Sequence, residues 1–233
     1  MLKKLIPARF HYRLSEIKKA LIGGYGRTYY SQFGEDIVVS KLLHGSTGFY
    51  VDVGAHHPKR YSNTYLLFKR GWHGINIDAN PHTIDLFRNA RPRDKNLCIG
   101  VGAVEGSLEY YQFSDPAVNT FSSDEARKWM DKDWITFMGK KAVPVLPLAA
   151  VLTKEAPIPH INFLSIDVEG MDFDVLGSFD WSGTKPDVIA IESHTFDSAH
   201  PKEDKVVSFL VDKHQYALAA HVGPSLIFTR VVH

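Results

Sequence analysis

Two carboxylates, Asp52 and Asp78, stand near the ends of short apolar segments, and they could bind a nucleoside. Asp52 follows Phe49-Tyr50-Val51 and is close to Gly54, whereas Asp78 follows Ile75-Asn76-Ile77. An ionised carboxylate only accepts hydrogen bonds and offers two oxygens, so Asp78 can bind both hydroxyls of a ribose. A glycine at position 54 lets a ligand approach the backbone. Nucleoside sites of open α/β sheets lie at such strand ends, so the sequence predicts one here.

The turn after Asp52 narrows the choice of nucleoside. It reads Gly54-Ala55-His56-His57-Pro58, with one glycine and an interrupting proline. A dinucleotide fold shows three glycines at this turn, where the pyrophosphate binds, and a P-loop shows a Gly-Lys-Ser/Thr sequence that this chain lacks. A nucleoside without a pyrophosphate remains, and S-adenosylmethionine fits. Asp52 would then lie near its positively charged amino acid part.

A second group of ionisable residues follows two later apolar segments. Asp167 and Glu169 belong to Asp167-Val168-Glu169-Gly170, and His194 follows Glu192-Ser193. Transfer of a methyl group from this cofactor needs the acceptor atom held in line with the methyl carbon and, for an acceptor that carries a proton, a base that removes it, which contributes ~10²–10⁴-fold. The predicted catalytic residues are therefore Asp167, Glu169 and His194.

Other interpretations of these residues stay open. Glu169 could be an acid that stabilises a helix N-terminus, and His194 an ordinary loop histidine. His57 is a further catalytic candidate because it lies near the predicted methionine end, although it and His56 could equally be solvent-facing turn residues. Asp167, Glu192 and His194 together supply hard oxygens and an imidazole, so they form a possible Mg²⁺ site.

The elements that must position these residues alternate between strands and helices. Strands are predicted at 49–53, 74–78, 97–101, 161–167 and 187–192, and a helix at 202–213. A further helix is predicted to start at Asn80-Pro81, because a capping residue precedes proline there. Strands that alternate with helices predict a mostly parallel α/β sheet, and 216–221 with 225–230 predict a closing antiparallel hairpin.

The segment 114–141 interrupts this alternation and shows no clear period. Its aromatic residues Trp129, Trp134 and Phe137 could stack on a sugar face or pack in a core. The segment is therefore predicted to be a lid or acceptor-binding loop, or else a helix that covers the sheet edge.

Composition limits the partners and the compartment. The 233-residue chain has 27 basic and 26 acidic side chains and one cysteine, Cys98. Near-zero net charge gives no case for nucleic acid, and the single cysteine is compatible with a cytoplasmic setting. Cys98 lies between Leu97 and Ile99, which predicts a buried thiol.

The N-terminal 26 residues are predicted to be a basic amphipathic helix with a glycine-containing linker, followed by one domain at 27–233. Lysines and arginines are interleaved with apolar residues near helical spacing over residues 1–22. This pattern predicts a helix that packs on the domain, contacts a second subunit or rests on an anionic membrane surface.

Several short motifs occur in an order that resembles the FkbM family of S-adenosylmethionine-dependent methyltransferases. The motifs are Ser31-Gln32-Phe33-Gly34-Glu35-Asp36, Tyr50-Val51-Asp52-Val53-Gly54-Ala55, Ser62-Asn63-Thr64, Ile77-Asp78-Ala79-Asn80-Pro81, Phe163-Leu164-Ser165-Ile166-Asp167-Val168-Glu169-Gly170 and Ile191-Glu192. The resemblance implies a seven-stranded class I methyltransferase sheet. It also implies that Gln32, Gly34 and Glu35 close over the cofactor, and it adds Asn63, Ala79 and Asn80 to the cofactor site.

The resemblance further implies O-methylation of a hydroxyl on a small molecule, most simply of a sugar or glycan, or of a polyketide or other natural product. A methyltransferase of amines or protein side chains is a second hypothesis. A cofactor-binding module that serves as a non-catalytic partner subunit is a third.

Overall fold

The computed structural model describes residues 8–22 and 27–231 of the chain. The helices are α1 (Ala8–Ile22), α2 (Glu35–Leu42), α3 (Tyr65–Lys69), α4 (Pro81–Ala90), α5 (Ser123–Met130), α6 (Leu148–Lys154), α7 (Asp172–Gly177) and α8 (Lys205–Val207), the last continuing as a π-helical segment at Ser208–Lys213. The strands are β1 (Phe49–Val53), β2 (His73–Asp78), β3 (Lys95–Cys98), β4 (Gly100–Val101), β5 (Gly106–Phe113), β6 (Phe137–Leu146), β7 (Phe163–Ile166), β8 (Val188–Glu192), β9 (Tyr216–Val222) and β10 (Ser225–Arg230).

The main sheet has seven strands in the order β3-β2-β1-β7-β8-β10-β9. The five neighbouring strands β3, β2, β1, β7 and β8 pair in parallel, whereas β10 is antiparallel to both β8 and β9. The predicted class is thus confirmed: a mostly parallel, seven-stranded α/β sheet with an antiparallel C-terminal hairpin. Its strand order reverses between β1 and β7, which is where sheets of this kind bind ligands.

Both faces of this sheet are buried, as expected for parallel strands covered by helices. Along β1, Phe49, Val51 and Val53 pack into a large core that includes residues of α6, α7 and α8. The intervening Tyr50 packs on the opposite face against residues of α2 and α3. This alternation explains why β1 reads as a continuous apolar run broken only by Asp52.

A second, three-stranded sheet in the order β4-β6-β5 corrects the predicted strand at 97–101. The chain leaves the main sheet after Cys98, and Gly100 then pairs with Val145 of β6. The predicted buried thiol is also wrong, because Cys98 is exposed on β3, which is an edge strand of the main sheet.

The predicted helix at 202–213 is broken into three pieces. A 3₁₀ turn at Pro201–Glu203 precedes α8 and its π-helical continuation. Asp204 causes this division, since its Oδ1 accepts hydrogen bonds from the backbone N–H groups of Val206 (2.8 Å) and Val207 (3.1 Å) and so starts a new helix. The predicted start of α4 is confirmed, because Oδ1 of Asn80 accepts a hydrogen bond from the N–H of His82 at 3.1 Å.

The predicted N-terminal helix is present as α1, and its side chains at Leu14 and Ile17 are 52% and 54% exposed. The charged residues Lys3 and Lys4 and the linker at 23–26 lie outside the described residues. None of the helices in the two described ranges is long and apolar enough to cross a bilayer. The division at residue 26 stays a prediction.

Candidate active site

Two adjoining pockets open where the strand order reverses. The Asp78 pocket is lined by Asp78, Ala79, Ile99, Gly100, Tyr110 and Phe121 among others. The Glu192 pocket is lined by Gln32, Asp52, Asn63, Trp129, Trp134, Glu192 and His194 among others. Gly54, His56, Ala117, Asp167 and Glu169 line both, so these five residues form the wall that the pockets share.

Parallel strands bring the predicted site residues to one edge of the sheet. Gly54 follows β1, Asp78 ends β2, Asp167 follows β7 and Glu192 ends β8. Because these four strands run in the same direction, their carboxyl ends all face the two pockets. Residues that are far apart in sequence therefore form one site.

Gly54 lies where the chain after β1 closely approaches the chain after β7. Its φ of +79° is in the left-handed region, and a Cβ atom there would overlap the carbonyl oxygen of Asp167. Only glycine tolerates both conditions without strain. Gly54 thus lets the ends of β1 and β7 approach each other, in addition to lining both pockets.

Asp78 is held by backbone groups on both oxygens. Oδ1 accepts a hydrogen bond from the N–H of Asn80 at 2.7 Å, and Oδ2 accepts one from the N–H of His56 at 3.0 Å. Burial nevertheless raises the pKa of Asp78 to about 6. Each carboxylate oxygen has a second lone pair, so Asp78 can still accept two hydrogen bonds from a ligand.

Asp52 is buried at the base of the Glu192 pocket, where Thr64 donates a hydrogen bond to its Oδ2 at 2.6 Å. The guanidinium of Arg91, itself completely buried, donates to Oγ1 of the same threonine at 2.7 Å and carries positive charge behind the carboxylate. Burial raises the pKa of Asp52 in spite of these contacts. Asp52 therefore has a structural role, and its contact with a cofactor stays a prediction.

The far wall of the Asp78 pocket contains aromatic residues that the sequence did not single out. The rings of Tyr110 and Phe121 lie 4.7 Å apart between centroids, and Ile99 and Gly100 line the pocket beside them. The sequence offered one signal for this wall, because Ile99 and Gly100 lie toward the carboxyl end of the strand predicted at 97–101. Phe121 comes from the segment after β5, whose path could not be predicted from spacing.

Acidic side chains crowd the region between the pockets. Burial, followed by repulsion from Glu192, raises the pKa of Asp167 well above its usual range and that of Glu169 to about 8. Burial also raises the pKa of Asp172 to about 7, although its carboxylate accepts hydrogen bonds from the backbone N–H groups of Val168 and Gly170. At neutral pH this cluster therefore retains protons, and carboxylates with raised pKa values are stronger bases than ordinary ones.

His194 pairs with this cluster. Its Nε2 lies 3.0 Å from Oε2 of Glu192, and this contact raises the pKa of the imidazole to about 9. At neutral pH the ring holds a proton, which favours a role as a cation beside Glu192 over a role as the base. Asp167 and Glu169 remain the better candidates for proton removal.

The two adjacent histidines have different positions. His56 lines both pockets with a φ of +53°, and its Nδ1 is buried without a hydrogen-bond partner among the described residues. Burial lowers the pKa of His56 to about 4, so the ring is neutral. His57 lines neither pocket, and its Nδ1 accepts hydrogen bonds from the N–H groups of Lys59 (3.0 Å) and Arg60 (2.9 Å). The structure therefore favours His56 over His57, one of the predicted catalytic residues, as the histidine that contacts a ligand.

The remaining cofactor-binding predictions divide in the same way. Gln32, Asn63 and Ala79 line the pockets. Gly34, Glu35 and Asn80 line neither: Gly34 precedes α2, Asn80 caps α4, and Oε2 of the buried Glu35 accepts a hydrogen bond from the N–H of Phe33 at 2.9 Å. These three hold the segments that carry lining residues, and a direct contact with a cofactor stays a prediction for them.

The side chains predicted to bind a metal fall into two overlapping groups. Potential ligand atoms of Glu169, Glu192 and His194 lie within 4.8 Å of one another, as do those of Asp167, Asp172 and Glu192. Glu192 belongs to both groups, whereas Asp167 and His194 belong to different ones. The structure thus adds Glu169 and Asp172 to the three predicted donors.

Comparisons with known proteins identify the family to which the chain is similar. A family model described as the methyltransferase FkbM domain matches residues 52–218, which is most of the chain. No curated protein matches the chain. Among solved structures, a TehB-like SAM-dependent methyltransferase from Corynebacterium glutamicum is similar at 10% sequence identity and a TM-score of 0.44, over 96% of this chain and 100% of that one.

Proposed function

The chain belongs to the FkbM methyltransferase family, and we propose that it transfers a methyl group from S-adenosylmethionine to a hydroxyl of a sugar or glycan. The observation that carries this proposal is the wall shared by the two pockets. Asp167 and Glu169 line both pockets there. A ligand in one pocket and a ligand in the other would therefore meet beside these two carboxyl groups.

The Asp78 pocket fits the nucleoside part of the cofactor. Asp78 offers two acceptor oxygens to ribose hydroxyls, and Ile99, Tyr110 and Phe121 offer apolar surface to an adenine ring. Gly54, at the shared wall, presents its backbone to the chain beyond the ribose. When bound, S-adenosylmethionine supplies an electrophilic methyl group on a positively charged sulfur.

The residues of the shared wall then act on the acceptor. Asp167 or Glu169, when deprotonated, accepts the proton of the acceptor hydroxyl. The protonated His194, held by Glu192, balances the negative charge of the cluster. His56 is neutral and lines both pockets at the shared wall, where its ring would shield the point of transfer from water.

Aromatic side chains support a sugar as the acceptor. Trp129 and Trp134 line the Glu192 pocket, their rings lie 5.8 Å apart at 81°, and Trp134 is 67% exposed. An exposed indole at the mouth of a polar pocket suits the apolar C–H face of a sugar whose hydroxyls point to carboxylates. An exposed indole beside carboxylates therefore favours a sugar over a polyketide as the hydroxyl acceptor.

Two measurements test this proposal. Calorimetric titration with S-adenosylmethionine should give saturable binding to the full chain. Incubation with a panel of methyl glycosides and oligosaccharides, followed by mass spectrometry, should then show addition of one methyl group. Absence of cofactor binding at millimolar concentration would refute the enzyme hypothesis, binding without methylation of any acceptor would favour the non-catalytic module, and methylation of amines alone would refute the choice of a hydroxyl.

We also propose that Mg²⁺ assists the transfer. Asp167, Glu169, Asp172 and Glu192 provide the oxygen ligands that this ion prefers, and their crowded negative charge would be relieved by it. Either Asp167, Asp172 and Glu192, or Glu169 and Glu192 with His194 in its neutral form, would hold the ion, which would lower the pKa of a nearby hydroxyl. Exhaustive chelation should abolish turnover and Mg²⁺ should restore it, whereas full activity after chelation would exclude a requirement.

For residues 1–22 we propose contact with an anionic membrane surface by a cytoplasmic protein. The exposed Leu14 and Ile17 and the basic Lys18 and Lys19 of α1 support this, because such helices bind at lipid interfaces. Co-sedimentation with anionic but not neutral vesicles should depend on these residues. A concentration-dependent dimer that dissociates when they are removed would favour a subunit contact instead.

A further inference from the structure

Glu169 has a backbone conformation that a glutamate seldom adopts. Its φ is +54°, and the following Gly170 has a φ of +100°. Non-glycine residues in this region are strained and persist only where the surroundings hold them. Because Glu169 lines both pockets, whatever holds its backbone also places its carboxyl group.

One support comes from α7, which follows in sequence. The carboxylate of Asp172 accepts hydrogen bonds from the N–H of Val168 at 2.9 Å and of Gly170 at 3.1 Å. These two bonds flank Glu169 but leave its own carbonyl oxygen to another partner.

That partner comes from the insertion, the segment 114–136 between β5 and β6. Oγ1 of Thr120 donates a hydrogen bond to the carbonyl oxygen of Glu169 at 2.6 Å. Thr120 is only 1% exposed, and its Oγ1 in turn accepts a hydrogen bond from the N–H of Ser122 at 2.8 Å. Its backbone is fixed to Tyr111 of β5 by hydrogen bonds of 2.8 Å and 3.2 Å.

The insertion contacts the same loop at a second point. A Cβ atom at Gly170 would overlap Cγ of Glu125 in α5, so α5 packs directly on the residue after Glu169. The insertion also provides Trp129 and Trp134 to the Glu192 pocket. The wall of the acceptor pocket and the loop of the reactive carboxylates thus form one packed unit.

We propose that Thr120 is a positioning residue for Glu169, and that through it the insertion that lines the acceptor pocket also sets the geometry of the reaction centre. Thr120 lines neither pocket, so it acts through Glu169 and not on a ligand. The inference builds on the proposed function and adds a residue to it.

Thr120→Val tests this inference because valine keeps the shape and removes only the hydroxyl. Thr120→Ser keeps the hydroxyl and should rescue the wild-type properties. Ser114→Ala is the matched control, since it removes a hydroxyl from the same insertion, where Oγ of Ser114 accepts a hydrogen bond from the N–H of Thr136 at 3.1 Å and so joins the two ends of the insertion. Thr120→Ala serves as a second variant if Thr120→Val does not fold.

Hydrogen exchange followed by mass spectrometry gives a readout that needs no acceptor. In Thr120→Val the amides of residues 168–172 should exchange at least about fivefold faster, because loss of the hydrogen bond frees the loop. Thr120→Ser and Ser114→Ala should match the wild type there. Equal exchange in all four proteins, or faster exchange in Ser114→Ala as well, would overturn the inference.

Turnover with a glycoside methylated by the wild type gives the second readout. Thr120→Val should lower kcat by roughly 10- to 100-fold, because misplacement of a catalytic group by ~1 Å is that costly. KM for the glycoside and the affinity for S-adenosylmethionine should change less than about threefold. Wild-type kcat in Thr120→Val would contradict the inference. A wild-type chain that binds no S-adenosylmethionine would instead contradict the proposed function, and the exchange result would still decide the role of Thr120.

Discussion

Asp78→Asn should weaken binding of S-adenosylmethionine while leaving the fold intact. In the wild type, Asp78 accepts backbone hydrogen bonds on both oxygens, at 2.7 Å and 3.0 Å, and has two lone pairs left for ribose hydroxyls. Asparagine offers one oxygen and no charge, and its NH₂ group would face one of the two backbone donors. Hydrogen bonds to a charged group contribute about 1.5–3 kcal/mol, so the dissociation constant should rise roughly 10- to 150-fold.

Calorimetric titration at two pH values makes this prediction sharper. The pKa of Asp78 is raised to about 6 by burial, so the wild-type carboxyl is ionised at pH 7.5 and mostly protonated at pH 5. Wild-type affinity should therefore fall as the pH is lowered through about 6, and the difference from Asp78→Asn should shrink. Asp85→Asn is the matched control. Asp85, on α4, carries the same charge as Asp78, but its side chain is 64% exposed. Affinity within twofold of the wild type for a folded Asp78→Asn at pH 7.5 would refute the assignment of the Asp78 pocket.

Three further predictions concern the shared wall and the acceptor pocket. Asp167→Asn should lower turnover by roughly 10²–10⁴-fold with cofactor affinity within a few fold, as measured by steady-state kinetics and calorimetry; unchanged turnover would exclude Asp167 as the base. His56→Ala should lower turnover whereas His57→Ala should not, because only His56 lines the pockets, and the reverse result would restore His57. Trp134→Ala should raise KM for a glycoside by roughly 2- to 12-fold, as expected for loss of ~0.5–1.5 kcal/mol of stacking, and equal KM values would remove the indole from acceptor binding.

The sequence predicted the parts of the fold that depend on local patterns. Apolar runs that end at Asp52, Asp78, Asp167 and Glu192 identified the four strands that form the site, because parallel strands present their carboxyl ends at one edge. The C-terminal hairpin followed from two apolar runs around Gly223. The family resemblance then implied the number of strands and the sheet class.

The parts that depend on contacts between distant residues could not be predicted. The bond from Thr120 to Glu169 spans 49 residues, and no spacing encodes it. The sequence does not show which of His56 and His57 lines the pockets. The φ of +53° at His56 accompanies the placement of its ring in the pockets, and the ring of His57 lies outside them. The exit of the chain from the main sheet after Cys98 depends on pairing of Gly100 with Val145, which the continuous apolar pattern hides.

The most direct test of the methyl transfer uses S-adenosylmethionine with a deuterated methyl group. The full chain is incubated with this donor and the glycoside panel, and products are fragmented in a mass spectrometer to locate the label. We expect one deuterated methyl group on a sugar oxygen with the wild type and a much reduced amount with Asp167→Asn. Saturable binding of the donor with no labelled sugar, or label found only on nitrogen, would contradict the assignment of sugar O-methylation to this site.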